Sequence, residues 1–510
     1  MKAVTIFKIF TCLLLLSFGA KSQVLKTDRP NIIIIYTDDL GFGDISCNGT
    51  SAVKTPNIDK LAENGVRFTN AHSTSATCTP SRYSLLTGNY AWRKAGTGIA
   101  PGDASLLIPT TITTLPGMLQ KAGYKTGIVG KWHLGLGAQN GPNWNGEIKP
   151  GPLEVGFNYA FIIPATGDRV PCVFVENDRV VNFDKNNPIT VDYKQPIDTA
   201  APTGKKNPEL LRMLPSHGHN ASIVNGVSRI GYMKGGGAAL WNDEDFAATF
   251  LKKSENFILQ NKAVPFFLYF STHDIHVPRL AHKRFAGKSS MGARGDVLLQ
   301  LDWTVGELYA ILAKNKLLDN TLIIFSSDNG HVMDDGYKDD AEEKIGNHKP
   351  GGIFRGGKYS AFEAGTRVPF IVSWKGKVKP GKVSNALFSQ IDLYASIARL
   401  LNEKVENEMA TDSKDYLETL LNNKPVSREY LIEQSLNSTL SIIKDNWKYI
   451  EPSNGSAINK NTNTELGNLT MPQLYNLAVD SFEKNNVAAE NPLRTTELKA
   501  LLEKVKNEKK

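Results

Sequence analysis

The run NIIIIYTDD, residues 31–39, sets four successive isoleucines and a tyrosine directly ahead of two aspartates. A compact, β-branched apolar run without polar alternation is what a strand buried on both faces requires. Its end is also where two carboxylates meet, and neighbouring carboxylates repel unless a proton or a cation neutralises them. Outward from this point, PFFLYFS (265–271) and TLIIFSS (321–327) read as further buried strands, and YKTGIVG (124–130) as another. Helical sequence separates them. TPNIDKLAENG (55–65) has Thr55 as N-cap, Pro56 in the first turn and Gly65 as a stop, TTLPGMLQKAG (113–123) reads similarly, and two more helices fall around 241–260 and 296–318. Helices alternating with buried strands predict an α/β fold whose large, mixed, mostly parallel sheet is sandwiched by helices.

The texture changes near residue 375. REYLIEQ, STLSIIKDNWKYI and PQLYNLA read as short strands of a smaller antiparallel sheet, followed by a charged helical tail. The expected organisation is a large domain over 23–375 and a smaller C-terminal α+β subdomain over 376–510. Residues 139–240, rich in Gly, Pro and Asn, read as a long insertion in the large domain. No solenoid-type repeat is present.

Residues 1–22 combine a basic start, an apolar run and small residues, the pattern of a secretory signal peptide cleaved near Ala20 to Ser22. The expected location is therefore secreted or periplasmic, with no stable membrane insertion and no nucleic-acid partner. Formal net charge is +8, of which the first 22 residues supply +3. The remaining excess suits an anionic substrate or an ordinary basic surface and decides neither. Cleavage leaves Cys47, Cys78 and Cys172, an odd number that excludes complete pairing within the chain. A Cys47–Cys172 bridge stays open, and the disulfide-scaffold class is excluded.

Asp38 and Asp39 follow the first strand, and Asp328 and Asn329 follow TLIIFSS. Open α/β sheets bind ligands at the carboxyl ends of their strands. Either pair alone fits a turn; together they offer three carboxylates and an amide oxygen, a hard-oxygen set that suits Ca²⁺ or Mg²⁺ over Zn²⁺. GKWHLG (130–135) brings Lys131 and His133 to another strand end, STHDIHVP (271–278) brings His273 and His276, and Lys358 lies in FRGGKYSAFEAGTRVP. Cations at several strand ends beside carboxylates suggest an anion held against a metal. In SATCTPSRYSLLTG (75–88), Cys78 stands at a helix mouth near Arg82. That setting predicts a depressed thiol pKa and a reactive group, with a buried structural thiol as the alternative.

The C-x-P-S-R segment with LLTG resembles the signature of the sulfatase family, in which the cysteine is oxidised to formylglycine. TDDLGFGD, TPNIDKLAENGVRFTNAH, GKWHLG, SSDNG and GGK…FEAGTRVP agree in order, and QLYNLAVDSFEKNNVAAENP resembles the family's C-terminal end. The likeness runs from about residue 29 to 495 and implies an alkaline-phosphatase-like fold. It implies a Ca²⁺ held by Asp38, Asp39, Asp328 and Asn329, completed by the formylglycine (3-oxoalanine) made from Cys78. The hydrated aldehyde, flanked by Arg82, would attack sulfur. Lys131 and Lys358 would bind sulfate oxygens, His276 would protonate the leaving oxygen, and His133 would remove the proton that lets sulfate go. A formylglycine-generating (sulfatase-maturating) enzyme is the implied partner, with a sulfated glycan of mucin or chondroitin type as substrate. IIPATGDRVPCVFVENDRVV and the stretch with PSHGHN resemble carbohydrate sulfatases of the galactosamine-6-sulfatase kind. Asp168, Arg169, His217 and His219 are polar groups suited to sugar hydroxyls and are the expected substrate contacts, His273 of STHDIHVP is expected to be a substrate contact or a support, and 6-O-sulfated galactose or N-acetylgalactosamine is the expected sugar. Rival readings are a phosphonate or phosphate-ester hydrolase on the same scaffold, and a non-catalytic sulfated-glycan-binding protein whose Cys78 is never oxidised.

Overall fold

The four isoleucines need cover on both faces of their strand. In the computed structural model they lie inside a ten-stranded sheet. The structure describes residues 29–508 except 50, 51, 407, 408 and 423, so the expected signal peptide lies outside the described residues. The strands are β1 (Asn31–Thr37), β2 (Gly65–Phe68), β3 (Lys125–Lys131), β4 (Tyr159–Ile163) and β5 (Val175–Glu176). The second half comprises β6 (Arg179–Val180), β7 (Phe266–Ser271), β8 (Thr321–Ser327), β9 (Phe370–Ser373) and β10 (Lys382–Ser384). Their spatial order is β10-β2-β9-β8-β1-β7-β3-β4-β5-β6. The run β8-β1-β7-β3-β4 is parallel throughout, and antiparallel pairs enter only towards the edges.

The period of two along β1 divides its isoleucines between two cores. Ile32 and Ile34 face one cluster, Ile33 and Ile35 the other. Helices cover both faces: α1 (Pro56–Glu63), α2 (Cys78–Thr87), α3 (Leu115–Lys121), α4 (Phe246–Asn261), α5 (Gly292–Lys314) and α6 (Leu393–Leu400). Apolar residues of α1, α4 and α5 join Ile33 and Ile35, and those of α2, α3 and α6 join Ile32 and Ile34. Thr114 caps α3 as expected, accepting the Gly117 N–H at 3.1 Å. Thr55 does not cap α1. Its hydroxyl accepts the Ser46 N–H at 2.8 Å, and the Asp302 carboxylate of α5 accepts the first-turn N–H groups of Asn57 and Ile58 instead.

Two expected boundaries differ from the structure. Strand β4 lies inside the stretch 139–240 yet extends the main sheet, because its apolar YAFII pairs with β3. Strand β10 and helix α6 belong to the large layer although they lie beyond residue 375. The smaller antiparallel sheet is β11 (Leu431–Gln434), β12 (Leu440–Lys444), β13 (Trp447–Ile450) and β14 (Gln473–Asn476), with α7 (Pro492–Asn507) packed on it. Cys47, Cys78 and Cys172 are all free thiols, so the open bridge is not formed. Among the described residues no helix is long and apolar enough to cross a membrane.

A buried ionic seam joins the two sheets. Lys448 Nζ of β13 lies 3.0 Å from both Glu363 Oε1 and Glu433 Oε2, His72 Nδ1 lies 2.9 Å from Glu433, and Arg367 pairs with Glu363 at 2.6 Å. Burial, with the charges of Glu363 and Glu433, pushes the neighbouring Glu483 carboxyl up to about 8. A carboxyl raised in the folded state contributes stability that is complete below its ordinary value of 4.5 and drains away as pH rises through about 8. Glu483→Gln should therefore flatten the decline in Tm over that window, as scanning calorimetry across pH will read. Lys448→Met, which removes the buried cation shared by Glu363 and Glu433 and leaves them only Arg367 and His72, should cost about 3–5 kcal/mol in denaturant titration.

Candidate active site

Strands β1 and β8 are neighbours and parallel, with Thr37 opposite Ser327, so both acidic pairs emerge side by side at one edge of the sheet. Strand β7 delivers Ser271 and the loop after it to the same edge, and β3 ends there at Lys131. Helix α2 starts there with Cys78, fully enclosed. The sequence-predicted metal and catalytic residues thus converge on one buried cluster.

The cluster is knitted by charge. Lys131 Nζ donates to Asp38 Oδ2 at 2.6 Å and stands 3.7 Å from Asp328. Lys358 Nζ donates to Asp39 Oδ2 at 2.9 Å and to Asp335 Oδ2 at 2.8 Å. Arg82 donates from Nε and Nη2 to Asp328 Oδ2 at 2.9 and 2.7 Å, and from Nη1 to Ser271 Oγ at 2.5 Å. Burial, reinforced by the other carboxylates, raises the Asp38 carboxyl well above its ordinary value and raises Asp39 as well. Burial would also raise Asp328, but the charges of Arg82 and Lys131 hold it low.

Two oxygens in this cluster, Asp38 Oδ1 and Asn329 Oδ1, are buried without any hydrogen-bond partner. Orphaned buried acceptors are costly, and both belong to the hard-oxygen set singled out in the sequence. Asp39 Oδ1 accepts from Asn329 Nδ2 at 2.8 Å, which turns the amide so that its oxygen faces elsewhere. Unpaired oxygens and repelling carboxylates are what a hard divalent cation relieves, so the residues fit Ca²⁺ or Mg²⁺.

His133 and Cys78 are in contact, with Nδ1 3.3 Å from Sγ. The Nε2 of His133 lies 2.9 Å from the Ala100 carbonyl, which fixes the proton on Nε2 and leaves Nδ1 as an acceptor towards position 78. Burial, with Lys131 and Arg169, pushes His133 well below the ordinary imidazole range and keeps it neutral. His276 is lowered as well, by burial and Lys358; its Nδ1 donates to the Val277 carbonyl at 2.6 Å and its Nε2 lies 3.7 Å from Asp39 Oδ2.

Above the cluster opens a cavity of about 210 Å³, lined by Cys78, His276 and Lys358 and by the expected sugar contacts Asp168, Arg169, His217 and His219. Asp168 is braced there by His219 Nε2 at 2.8 Å and by Arg169 Nη1 at 3.0 Å. One sequence expectation needs correction. The Cys78 thiol is raised, not depressed, because burial and the nearby Asp328 and Asp38 outweigh Lys131 and Lys358. Arg82 is enclosed beside the Tyr36 ring, paired with Asp328, and, like Lys131 and His133, is not part of the cavity lining. His273 does not line the cavity; its Nε2 accepts the Gly167 N–H at 3.0 Å, and its ring packs on Phe246, supporting the loop that carries Asp168.

Sequence reasoning missed Asp335 and Tyr359, linked by a 3.0 Å hydrogen bond, and Asn459, Asn461 and Thr462, all of which line the cavity. Asp335 lies five residues past SSDNG and Tyr359 follows Lys358, a signal that was available. The polar run around 459–462 reads as an ordinary turn and carries none.

The Sulfatase family model matches residues 30–403. The chain is 57% identical over 486 residues to an N-acetylgalactosamine-6-O-sulfatase of Bacteroides thetaiotaomicron, covering 95% of each. It is 32% identical to human arylsulfatase A, covering 82% of this chain and 72% of that one. A solved structure from work on the metabolism of multiple glycosaminoglycans by Bacteroides thetaiotaomicron superposes with a TM-score of 0.93 at 56% identity, covering 94% of this chain and all of that one. The chain belongs to the sulfatase family, enzymes that hydrolyse sulfuric esters.

Removing the orphaned oxygens tests the metal fit. Ca²⁺ should raise the wild-type Tm, because a ligand bound only by the folded state stabilises it by mass action. Asp38→Ala should abolish that rise together with activity. Asp328→Ala should do the same and in addition cost about 3–5 kcal/mol, since it strands the buried Arg82 guanidinium.

Proposed function

We propose that the protein is an exported carbohydrate sulfatase that removes the 6-O-sulfate of galactose or N-acetylgalactosamine at a glycan end. The sugar rests on the 57% identity, across 95% of the chain, to an N-acetylgalactosamine-6-O-sulfatase. Export rests on the leader pattern of residues 1–22. Asp38, Asp39, Asp328 and Asn329 are the residues that would hold Ca²⁺, which supplies Lewis-acid charge stabilisation when bound. Formylglycine at position 78, made from Cys78 by a maturating enzyme, supplies a hydrated aldehyde as the nucleophilic group.

The remaining chemistry belongs to side chains already in place. Lys358 lines the cavity and Lys131 lies buried in the adjoining cluster, two ammonium groups that offset the negative charge of a sulfate ester. Their carboxylate partners hold them there without free rotation. His133 keeps its proton on Nε2 and offers Nδ1 to position 78, the arrangement of a proton acceptor. His276 faces the cavity with Nε2 uncommitted to a backbone group, and that atom is the one from which the departing sugar oxygen takes a proton. The resting ring is neutral, so the anionic ester brings the charge that favours its protonation. Arg169, His217 and His219 line the same cavity, where hydroxyls of a sugar ring would meet donors.

Sulfate release from a panel of defined sulfated sugars, with phosphate and phosphonate monoesters alongside, tests the substrate. The 6-O-sulfated N-acetylgalactosamine or galactose should lead, and a preference for phosphorus esters would overturn the reading. Protein matured in its host should be lighter by about 18 Da at the peptide holding residue 78, as thiol becomes aldehyde. His276→Ala should slow a sugar sulfate by roughly 10²–10⁴-fold and an activated aryl sulfate far less, because only the basic sugar oxygen needs the proton. His133→Ala should slow both alike.

A further inference from the structure

Lys358 is the ammonium that lines the catalytic cavity, and two carboxylates share it. Its Nζ donates to Asp39 Oδ2 at 2.9 Å and to Asp335 Oδ2 at 2.8 Å, which leaves one of its three N–H groups for an ester oxygen. Asp39 belongs to the acidic pairs that fit a divalent cation; Asp335 belongs to neither pair. Among the described residues Asp335 accepts only from Lys358 and from the Tyr359 hydroxyl, the latter at 3.0 Å. Burial would raise its carboxyl, but Lys358 holds it below its ordinary value.

The chain sustains this contact against backbone strain. Tyr359 has φ +80°, a left-handed conformation that a bulky residue rarely adopts. The Tyr359 N–H donates to the Ala76 carbonyl and the Lys358 N–H to the His331 carbonyl, each at 2.7 Å, so both residues are pinned. Strain of this kind persists where the surroundings over-determine it, and it gathers at functional sites.

Half-neutralising the lysine of an anion site is useful only where the anion's charge is limited. Four formally charged side chains line the cavity, Asp168 and Asp335 against Arg169 and Lys358, so the wall has no net charge. In the cluster beneath, Asp38, Asp39 and Asp328 exceed Arg82 and Lys131 by one carboxylate, and a divalent cation there leaves one positive charge in excess. A sulfate monoester carries one negative charge and matches that excess. A phosphate monoester gains a second charge above about pH 6 and exceeds it, leaving a buried charge unmatched.

We propose that Asp335 sets the charge of the site, so that a singly charged sulfate ester is accepted and a doubly charged phosphate ester is refused. The inference rests on the family's sulfuric ester chemistry and on the cation fit, not on the identity of the sugar.

Calorimetric binding to the Ca²⁺-loaded protein tests it. One pair of probes is N-acetylgalactosamine 6-phosphate and its methyl diester, the other 4-nitrophenyl phosphate and its methyl diester. Each diester keeps a single charge, so dividing the two dissociation constants cancels the titration of His217, His219, His276 and the nearby Asp334. The wild-type monoester-to-diester Kd ratio should climb about tenfold or more between pH 5 and 8, the least that one unmatched charge at this depth costs. Asp335→Asn should abolish the climb, Asp335→Glu should keep it, and Tyr359→Phe, which removes a hydrogen bond but no charge, should keep it too. A purely structural role would weaken both esters together and leave the Asp335→Asn ratio climbing, which would overturn the proposal. A flat wild-type ratio would overturn it as well, without appeal to any variant. If only the aryl pair binds, and its ratio climbs, the sugar reading falls and this one stands; if neither pair binds, this one falls.

Discussion

Charge that cannot reach water governs this molecule. Asp38, Asp39 and Asp328 are enclosed at the ends of two adjacent parallel strands, and Arg82, Lys131 and Lys358 are enclosed with them. At such depth an unmatched charge costs several kcal/mol, so every group in the cluster is restrained by the others. Lysines fixed by carboxylates cannot collapse into the cavity or wander from it, so folding settles where these cations stand.

The surrounding architecture serves that restraint. The loop after β1 is anchored by Asp44, which accepts both Arg294 Nη groups and His348 Nε2, each at 2.8 Å, and the Gly41 N–H at 2.7 Å. Burial alone would raise that carboxyl, but Arg294 and His348 hold it well below the carboxylate range. Gly41 and Gly43 lie so close to the backbone of residues 349–352 that a Cβ at either would clash, which explains the glycines of DDLGFGD without reference to catalysis. A second buried network, around Lys448, performs the same service between the two sheets.

What could be read from the sequence, and what could not, follows from how far each property reaches. NIIIIYT and TLIIFSS declare buried parallel strands because burial on both faces is written into consecutive residues. The acidic pairs declare a cluster of hard oxygens, fit for a divalent cation, because they sit at strand ends. Properties set by distant partners were illegible. Cys78 stands at a helix start near Arg82, a setting that argues for an acidic thiol, yet burial and the carboxylates of two other strands reverse the sign. The commitment of Arg82 in CTPSR to Asp328, 246 residues away, has no local trace. His273 and His276 are three residues apart and chemically alike, but only the backbone path turns one to Gly167 and the other to the cavity. Strand β4 escaped notice inside a Gly- and Pro-rich stretch because five apolar residues are short evidence for a strand, and its partner β3 supplies the rest.

The division of labour between strands and loops explains how one scaffold serves many esters. Strand ends supply the carboxylates of Asp38, Asp39 and Asp328, Lys131 and His133, and their positions follow the sheet register, whereas Lys358 comes from a loop. The walls that meet the rest of the substrate come from elsewhere: residues 168–169 and 217–219, Asp335, and Asn459 to Thr462 beyond the small sheet. Such segments tolerate change because little of the core depends on them. The small sheet, joined to the large one through the Lys448 seam, then holds one wall of the cavity at a fixed distance from the catalytic floor. Selectivity for an ester's alcohol is thus separated physically from the power to break its sulfur–oxygen bond, and each can vary without dismantling the other.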